Sequence, residues 1–425
     1  MELLAAGVSD AFDQTVLVLG LLLVAGALVS GLVHRSFLSL TALFVLAGFA
    51  LGQGGLEVLD FNPRSTFVAG LAVVALITIL FRDGLEVEGE MLQKEWRLPL
   101  RKLVLAMPIT GAIVAVGAHV LTDLGWTECA LLGALLSPTD PVLSSSVVTN
   151  PRVPRIVRHS LNLESGLNDG LALPAVLVFL SALSGDSDFV WWRFVLQDVG
   201  LGVLFGLLVG LVGSVLLPTR DIPAEQKALY AFGVAFAAYG AAVAPPAGNG
   251  FIAVYVAAIV LGIRRPDIQR CFEAKSDDIL ELVKLAVFVV FGSLLTLDGL
   301  FGDGWAAVGV VAVTLLVARP VAIFVALAGT RLDIATKGFM AWFGPKGVAT
   351  MTFALLVLGE GIADGSRIYN LAALAVFTSI IAHGLTDTPG ANWLAGRSAP
   401  ASPAPVEDPE VAVAPGTAAR SRAAP

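Results

Sequence analysis

Carboxyl groups inside apolar sequence are the first chemical feature of this chain. The stretch NLESGLNDGLALP, residues 162–174, places Glu164, Asn168 and Asp169 among residues that are otherwise mostly small or apolar. A carboxylate buried in an apolar medium is costly unless it is paired, protonated or bound to a cation. Each of the two acids therefore predicts a partner, and the partner decides the chemistry.

Helical spacing separates these acids. Glu164 and Asn168 share one stripe of a helix, whereas Asp169 shares a second stripe with Ser165, rotated by about 100°. Arg319 is the only arginine inside a predicted apolar run. We therefore expect Glu164 to pair with Arg319 as a structural tie, with Lys346 as the second candidate partner.

Asp169 is left without an obvious cation. Burial favours the protonated carboxyl and a bound metal ion favours the carboxylate, so a proton and a cation compete for such a group. The Ser165 hydroxyl and backbone carbonyls near Thr139 could complete an oxygen shell, which suits a hard cation. Asn168 could hold Thr139 in place. The chemistry indicated is exchange of a monovalent cation for a proton.

Two apolar runs contain helix-breaking residues. LLSPTDPVLSSS has Pro138 and Pro141 on either side of Asp140, and WFGPKGVATM has glycines and a proline around Lys346. Proline removes amide donors and disfavours helix at the preceding residue, so both helices should open. If the breaks cross, Asp140 offsets positive half-helix ends and Lys346 offsets negative ones. Paired breaks indicate a transporter site.

The elements that must position these groups are membrane helices. Of the 425 residues, 56% are hydrophobic and 14% are charged, and the mean hydropathy is +0.84. Apolar runs long enough to cross a bilayer recur along the chain and leave no room for a sizeable soluble domain. The predicted spans are 15–33, 36–52, 65–82, 99–121, 126–147, 156–182, 194–217, 227–244, 250–263, 279–297, 305–329, 336–358 and 368–387.

The basic residues indicate the orientation. Lys and Arg cluster after odd-numbered spans, whereas only Arg64, Arg193 and Arg367 follow even-numbered ones. The loops richer in Lys and Arg face the cytoplasm. The N-terminus, which lacks the basic region of a signal peptide, is then outside and the C-terminus is cytoplasmic. Residues 388–425, rich in Ala and Pro, are predicted to be a disordered tail.

The thirteen spans divide into two six-helix units joined by a linking helix. An odd number of spans between equivalent helices makes the units inverted repeats, and each break falls in the fifth helix of its unit. The predicted fold is an all-α polytopic membrane protein of about 13 transmembrane helices, built as two inverted six-helix repeats with crossing discontinuous helices.

Other candidate chemistry is weaker. Cys129, in a predicted helix, and Cys271, in a predicted basic loop, give no disulfide or metal framework. An intramembrane hydrolase would need two facing acids or an activated serine, and neither pattern is present. The histidines follow no catalytic motif; packing or surface placement is the simpler interpretation, with a pH-sensing role left open for His34, His119, His159 and His383.

The ordered motifs SPTDPV, ESGLNDG, ARP and FGPKGVAT, with GNGFIAVYVAAIVLG before the basic loop, resemble the NhaP-type branch of bacterial monovalent cation:proton antiporters. The resemblance implies a homodimer with an interface domain and a moving core. It assigns ion and proton binding to Asp169, Ser165 and Thr139, support to Asn168, and the ion bridge to Glu164 with Arg319. The implied divisions are 1–98 and 225–297 for the interface, 99–183 and 305–387 for the core, 190–218 for the linking helix, and 388–425 for the tail.

The resemblance also implies electroneutral exchange of one cation for one proton in the inner membrane of a bacterium. Sodium, and also lithium, is the expected cation, with potassium as the alternative at the same site and a passive cation channel as the reading without exchange. No enzyme activity, cofactor or nucleic-acid partner is expected. LFRDGLEV has Arg82 where relatives often carry an acid, which leaves the contribution of Asp83 open, and Lys346 stands where some relatives have arginine.

Overall fold

The computed structural model describes residues 40–85, 97–140, 153–184, 190–218, 222–245 and 248–398, with the isolated positions 20, 24 and 87. Within these ranges the chain is helical and has no β-strand. Apart from positions 20 and 24, the predicted first span lies outside the described residues. So do Pro141 at the first break and residues 399–425 of the predicted tail.

The described helices of the first half overlap the predicted spans 36–52 to 194–217, although the helix in span 126–147 ends at Leu135. The third and sixth each contain a π-helical segment, Lys102–Ala106 and Phe194–Val199. Their bounds are α1 Leu40–Leu51, α2 Thr66–Leu85, α3 from Arg97 to Leu121, α4 Trp126–Leu135, α5 Arg155–Leu183 and α6 from Trp191 to Leu216.

In the second half, one predicted span is split into two helices. The helix that precedes the split span contains a π-helical segment, Val313–Ala318. A short helix, Leu297–Leu300, comes before that helix. The bounds are α7 Ala224–Val243, α8 Gly250–Arg264, α9 Pro266–Ser293, α10 from Trp305 to Ala326, α11 Ile334–Trp342, α12 Val348–Glu360 and α13 Gly365–Ser398.

Length and composition make five of the described helices capable of crossing a membrane, and five shorter apolar helices accompany them. The longer ones are Thr66–Leu85, Leu98–Leu121, Phe194–Leu216, Trp305–Ala326 and Gly365–Arg397. This pattern agrees with a polytopic helical membrane protein.

Two predicted boundaries are wrong. The predicted basic loop after α8 is the first half of α9, because Ile268, Phe272 and Leu280 are buried at helical spacing while most of the charged residues face outward. Cys271 is therefore helical. At the other end, α13 continues to Ser398, so the first residues of the predicted tail are helical too. They bury side chains, among them Leu394, which packs in a core cluster with Phe339 and Phe343.

The helices pack in two sets. In one set α1 packs on α9, and α8 packs on α2 and α6. In the other, α3 packs on α4 and α10, and α4 packs on α5. Helix α2 also touches α5 and α12, so the sets meet where the predicted ion-binding residues lie.

Candidate functional site

The two breaks lie against each other. Helix α4 ends at Leu135, and residues 136–140 continue without helical structure; residues 343–347 separate α11 from α12. The backbone N–H of Asp140 donates to the carbonyl oxygen of Pro345 at 2.8 Å. The structure therefore brings the two interrupted segments into direct backbone contact.

The charged residues of the breaks lie at the half-helix ends. The Asp140 Oδ2 accepts from the backbone N–H of Val348, the first residue of α12, at 3.3 Å. The Lys346 Nζ donates to the Pro138 carbonyl at 3.1 Å, and the Thr350 hydroxyl donates to that of Leu135. A carboxylate thus lies at a helix N-terminus and an ammonium beyond a helix C-terminus, which is the favourable sign at each.

Gly347 makes this crossing possible. A Cβ atom at this position would lie 2.1 to 2.5 Å from the side chain of Asp140, closer than any real contact. Only glycine lets the Asp140 carboxylate reach the end of α12 at this separation.

Glu164 lies in a buried cluster of three charges. Its Oε1 is 2.9 Å from Arg319 Nη1, so the structure brings the expected pair together. Its Oε2 is 2.6 Å from Lys102 Nζ, a cation that the sequence prediction missed. All three side chains are at most 7% exposed. One carboxylate therefore holds two cations.

Both cations make further contacts to backbone carbonyls. Lys102 Nζ donates to the Ser160 carbonyl at 3.0 Å. Arg319 Nη2 donates to the Phe343 carbonyl at 3.2 Å and weakly to that of Met340 at 3.4 Å, at the end of α11. The cluster thus joins α3, α5 and α10 to the second break.

The signal for Lys102 was present in the sequence. It lies three residues inside the predicted span 99–121, but it also belongs to the cluster of basic residues after span 65–82 that indicates a cytoplasmic loop. In the structure it begins the π-helical segment of α3, and Arg319 directly follows that of α10. Such segments occur often at functional sites.

Asn168 and Thr139 also lie together as expected. The Asn168 Nδ2 donates to the Thr139 carbonyl at 2.8 Å and to its hydroxyl at 3.0 Å. Both residues are buried, and the Oδ1 of Asn168 has no hydrogen-bond partner within the described residues. Helix α5 therefore holds the first break directly.

Asp169 has more neighbours than the sequence predicts. Its buried carboxyl lies within hydrogen-bonding reach of Asp83 on α2, and Asp140 and Lys284 are further charged neighbours. The predicted single free carboxyl is thus a pair. The side chain of Ser165, one turn before Asp169 on α5, lies outside the described residues.

Tyr255 closes one side of this pair. It lies on α8 near both Asp83 and Asp169, and its ring rests on Gly170, where a Cβ atom would lie 2.4 Å from the ring. The glycine therefore permits the close approach of α5 and α8.

A family model described as "Sodium/hydrogen exchanger, transmembrane" matches residues 20–393. The chain belongs to this family. It is therefore a transporter, a cation/proton antiporter in class, with a helical transmembrane fold.

Individual relatives of this exchanger are distant in sequence. It is 25% identical over 391 residues to the K(+)/H(+) antiporter NhaP of Alkalimonas amylolytica, covering 91% of this chain and 67% of that protein. It is 24% identical over 371 residues to the low-affinity Na(+)/H(+) antiporter NhaS1 of Synechocystis, covering 81% and 68%.

The fold of the exchanger matches a solved structure. The sodium proton antiporter MjNhaP1 from Methanocaldococcus jannaschii, at pH 8, superposes with a TM-score of 0.80 at 20% identity, covering 91% of this chain and all of that one.

Proposed function

We propose that this exchanger moves one monovalent cation against one proton at the Asp169–Asp83 pair. The observation that carries the proposal is the approach of these two carboxyls to hydrogen-bonding reach beside the crossed breaks. Two bare carboxylates repel each other, so the pair favours one bound positive charge. A proton or a monovalent cation supplies that charge equally well, which gives electroneutral one-to-one exchange.

The cation's shell is built from oxygen atoms. Asp169, the Thr139 hydroxyl and the Ser165 hydroxyl are the proposed ligands, and Asp83 is added to them. Asn168 positions Thr139, while Asp140 and Lys346 hold the two crossing breaks together. Oxygen ligands of this kind suit hard monovalent cations.

Sodium is the proposed cation, with lithium accepted at the same site. Potassium is the second candidate, because antiporters named for potassium and for sodium both occur among the similar proteins. The oxygen donors named here accept either ion, so a direct comparison of the ions decides between them.

Alternating access is proposed to move one helix set past the other. Asp169 and Thr139 belong to the proposed core, helices α3 to α5 and α10 to α13. Asp83, Tyr255 and Lys284 belong to the proposed interface helices, on α2, α8 and α9. A site built at the boundary opens to one face or the other when the sets slide. We further propose a homodimer through the interface helices.

The proposed location is the inner membrane of a bacterium, with the N-terminus outside and the C-terminus in the cytoplasm. The support is the distribution of Lys and Arg residues along the chain. Thirteen spans in two inverted repeats remain part of this proposal.

The test is cation-driven proton movement in proteoliposomes, measured with sodium, lithium and potassium from pH 6 to 9. The Asp169→Asn variant should abolish exchange while keeping its fold, and Asp83→Asn should weaken it. Asp298→Asn, at the exposed start of the short helix Leu297–Leu300, is the matched control and should exchange like the parent.

Three outcomes would contradict the proposal. Exchange that survives Asp169→Asn removes the site assignment. A large change of rate under an imposed membrane potential contradicts one-to-one stoichiometry. Cation flux without proton flux identifies a passive channel instead.

A further inference from the structure

One face of α13 follows the second break. Ser379, His383, Thr386 and Gly390 are spaced by four, three and four residues, which places them on one stripe of the helix. Each of the four contacts Trp342, Phe343 or Lys346. This stripe, which we call the α13 face, therefore lies along the whole interruption between α11 and α12.

Two residues of the α13 face contact opposite ends of the break. The His383 Nε2 is 2.8 Å from the carbonyl oxygen of Trp342, the last residue of α11. The Ser379 hydroxyl accepts from the backbone N–H of Lys346, near the other end of the break, at 2.9 Å. Since His383 Nδ1 lies 3.1 Å from that hydroxyl, the two side chains form one connection across the interruption.

The partners of the ring indicate where its proton is. Nε2 faces a carbonyl oxygen, which only accepts, so Nε2 carries hydrogen. Nδ1 lies 2.7 Å from the Ser379 carbonyl oxygen and 3.1 Å from the Ser379 hydroxyl, and that hydroxyl accepts from the backbone N–H of Lys346. Ser379 therefore holds Nδ1 through either group while Nε2 donates to Trp342.

The fixed charges near the ring come from α10, from the break and from α13. Two cations already face the ring, Arg319 from α10 and Lys346 from the break. Asp387 lies one turn further along α13 itself.

The rings beside the network are tightly packed. Trp342 stacks on His383 with centroids 5.1 Å apart, and its Nε1 donates to the Thr386 hydroxyl at 2.8 Å. Phe343 fills the space over Gly390, where a Cβ atom would lie 2.5 Å from the phenyl ring. His383 itself is 2% exposed. The α13 face is thus ordered on both sides of the connection.

We infer that His383 is a positioning residue, which together with Ser379 holds the two ends of the second break at a fixed separation. The inference rests on the proposed transport function. The break carries Pro345, whose carbonyl receives Asp140, and Lys346, whose ammonium reaches the first break. A displaced second break therefore shifts the oxygen atoms around the cation.

Transport kinetics form the first half of the test. In proteoliposomes His383→Ala and Ser379→Ala should raise the KM for the cation about tenfold or more, since misplacement by about 1 Å is costly. His383→Gln keeps an N–H donor near the position of Nε2, so its KM should stay within about threefold of the parent. Its pH profile should match the parent's. His119→Gln, a histidine stacked on Trp126 outside this network, is the matched control.

Hydrogen exchange of the Lys346 amide in detergent is the second half, and it needs no transport. Exchange should speed up in His383→Ala and Ser379→Ala and remain slow in His383→Gln. If His383→Ala does not fold, the other two variants decide. Unchanged amide exchange in Ser379→Ala overturns the connection. A shifted acid limb of the pH profile in His383→Gln identifies a proton sensor and overturns the positioning role.

If the variants change the amide exchange as expected but the parent protein shows no cation/proton exchange, the connection stands. Only the proposed function is then refuted.

Discussion

The three charges around Glu164 differ in what their removal should cost. Glu164→Gln leaves two buried cations, Lys102 and Arg319, without a carboxylate. Breaking a buried ion pair by removing one partner costs about 3–5 kcal/mol, because the remaining charge is uncompensated. We therefore expect Glu164→Gln to lower the free energy of unfolding by at least about that amount.

Removal of either cation alone should cost less. After Arg319→Met, Lys102 still lies 2.6 Å from Glu164 Oε2, so the carboxylate keeps a partner. The loss is then mainly that of hydrogen bonds to charged groups, about 1.5–3 kcal/mol. After Lys102→Met, Arg319 still binds Oε1 at 2.9 Å, so a similar or smaller loss is expected.

The double variant separates shared from independent pairing. Lys102→Met with Arg319→Met leaves Glu164 with neither cation, a condition that neither single change produces. The double loss should therefore exceed the sum of the single losses by about 0.5–3 kcal/mol, the range of coupling between contacting residues.

The assay is unfolding by detergent titration in mixed micelles, followed for the parent, the three single variants and the double variant. Arg101→Met is the control, since Arg101 precedes Lys102 but is exposed and donates to the Ala328 carbonyl. Arg319→Met could prove as destabilising as Glu164→Gln, and the loss in the double variant could equal the sum of the two single losses. Together these results would show that Lys102 does not share the charge of Glu164.

Two further predictions concern the second break and the N-terminal end of α9. Gly347→Ala should strongly reduce the transport rate because the added methyl group displaces Asp140. Gly338→Ala is the control and should not reduce it, since nothing lies within 4 Å of the added atom. Equal transport rates in the two variants would contradict the contact between the two breaks. Arg265 and Lys227 hold the pKa of Asp267 below its ordinary value, so its contribution is present above the unfolded pKa and lost as pH falls through the folded one. Asp267→Asn should therefore destabilise the protein at pH 7 and match the stability of the parent in strong acid. Thermal unfolding measured across pH tests this, and a stability difference that persists in strong acid would refute the pairing of Asp267 with Arg265 and Lys227.

Residues with an unusual local signature were predictable from the sequence. Asp140 and Lys346 stand beside prolines and glycines that break helices, so their position at half-helix ends follows from backbone chemistry. Glu164 and Arg319 were found because an intramembrane charge needs a partner.

The site residues that were not assigned from the sequence each have an ordinary alternative interpretation. Lys102 is near a span end, where lysine normally marks orientation. Asp83 follows Arg82, and which of two adjacent residues faces the site depends on helix rotation, which a single sequence does not fix. The early start of α9 was not predicted, because charged residues such as Arg270 are typical of a loop. Only the buried residues at helical spacing between them show that the segment is a helix.

The two breaks are held in a similar way, each by a helix that comes later in the chain. On α5, Asn168 donates to Thr139 in the first break; on α13, Ser379 and His383 contact the second. The next position on α5, however, is Asp169, a carboxyl beside a second carboxyl, whereas α13 presents a histidine whose ring nitrogens both have partners. On the proposed mechanism this arrangement separates two duties: α5 binds the transported charge, and α13 keeps the crossing rigid while that charge changes. The Glu164 carboxylate is already occupied by two cations, so on the same mechanism its cluster of fixed charges takes no part in exchange.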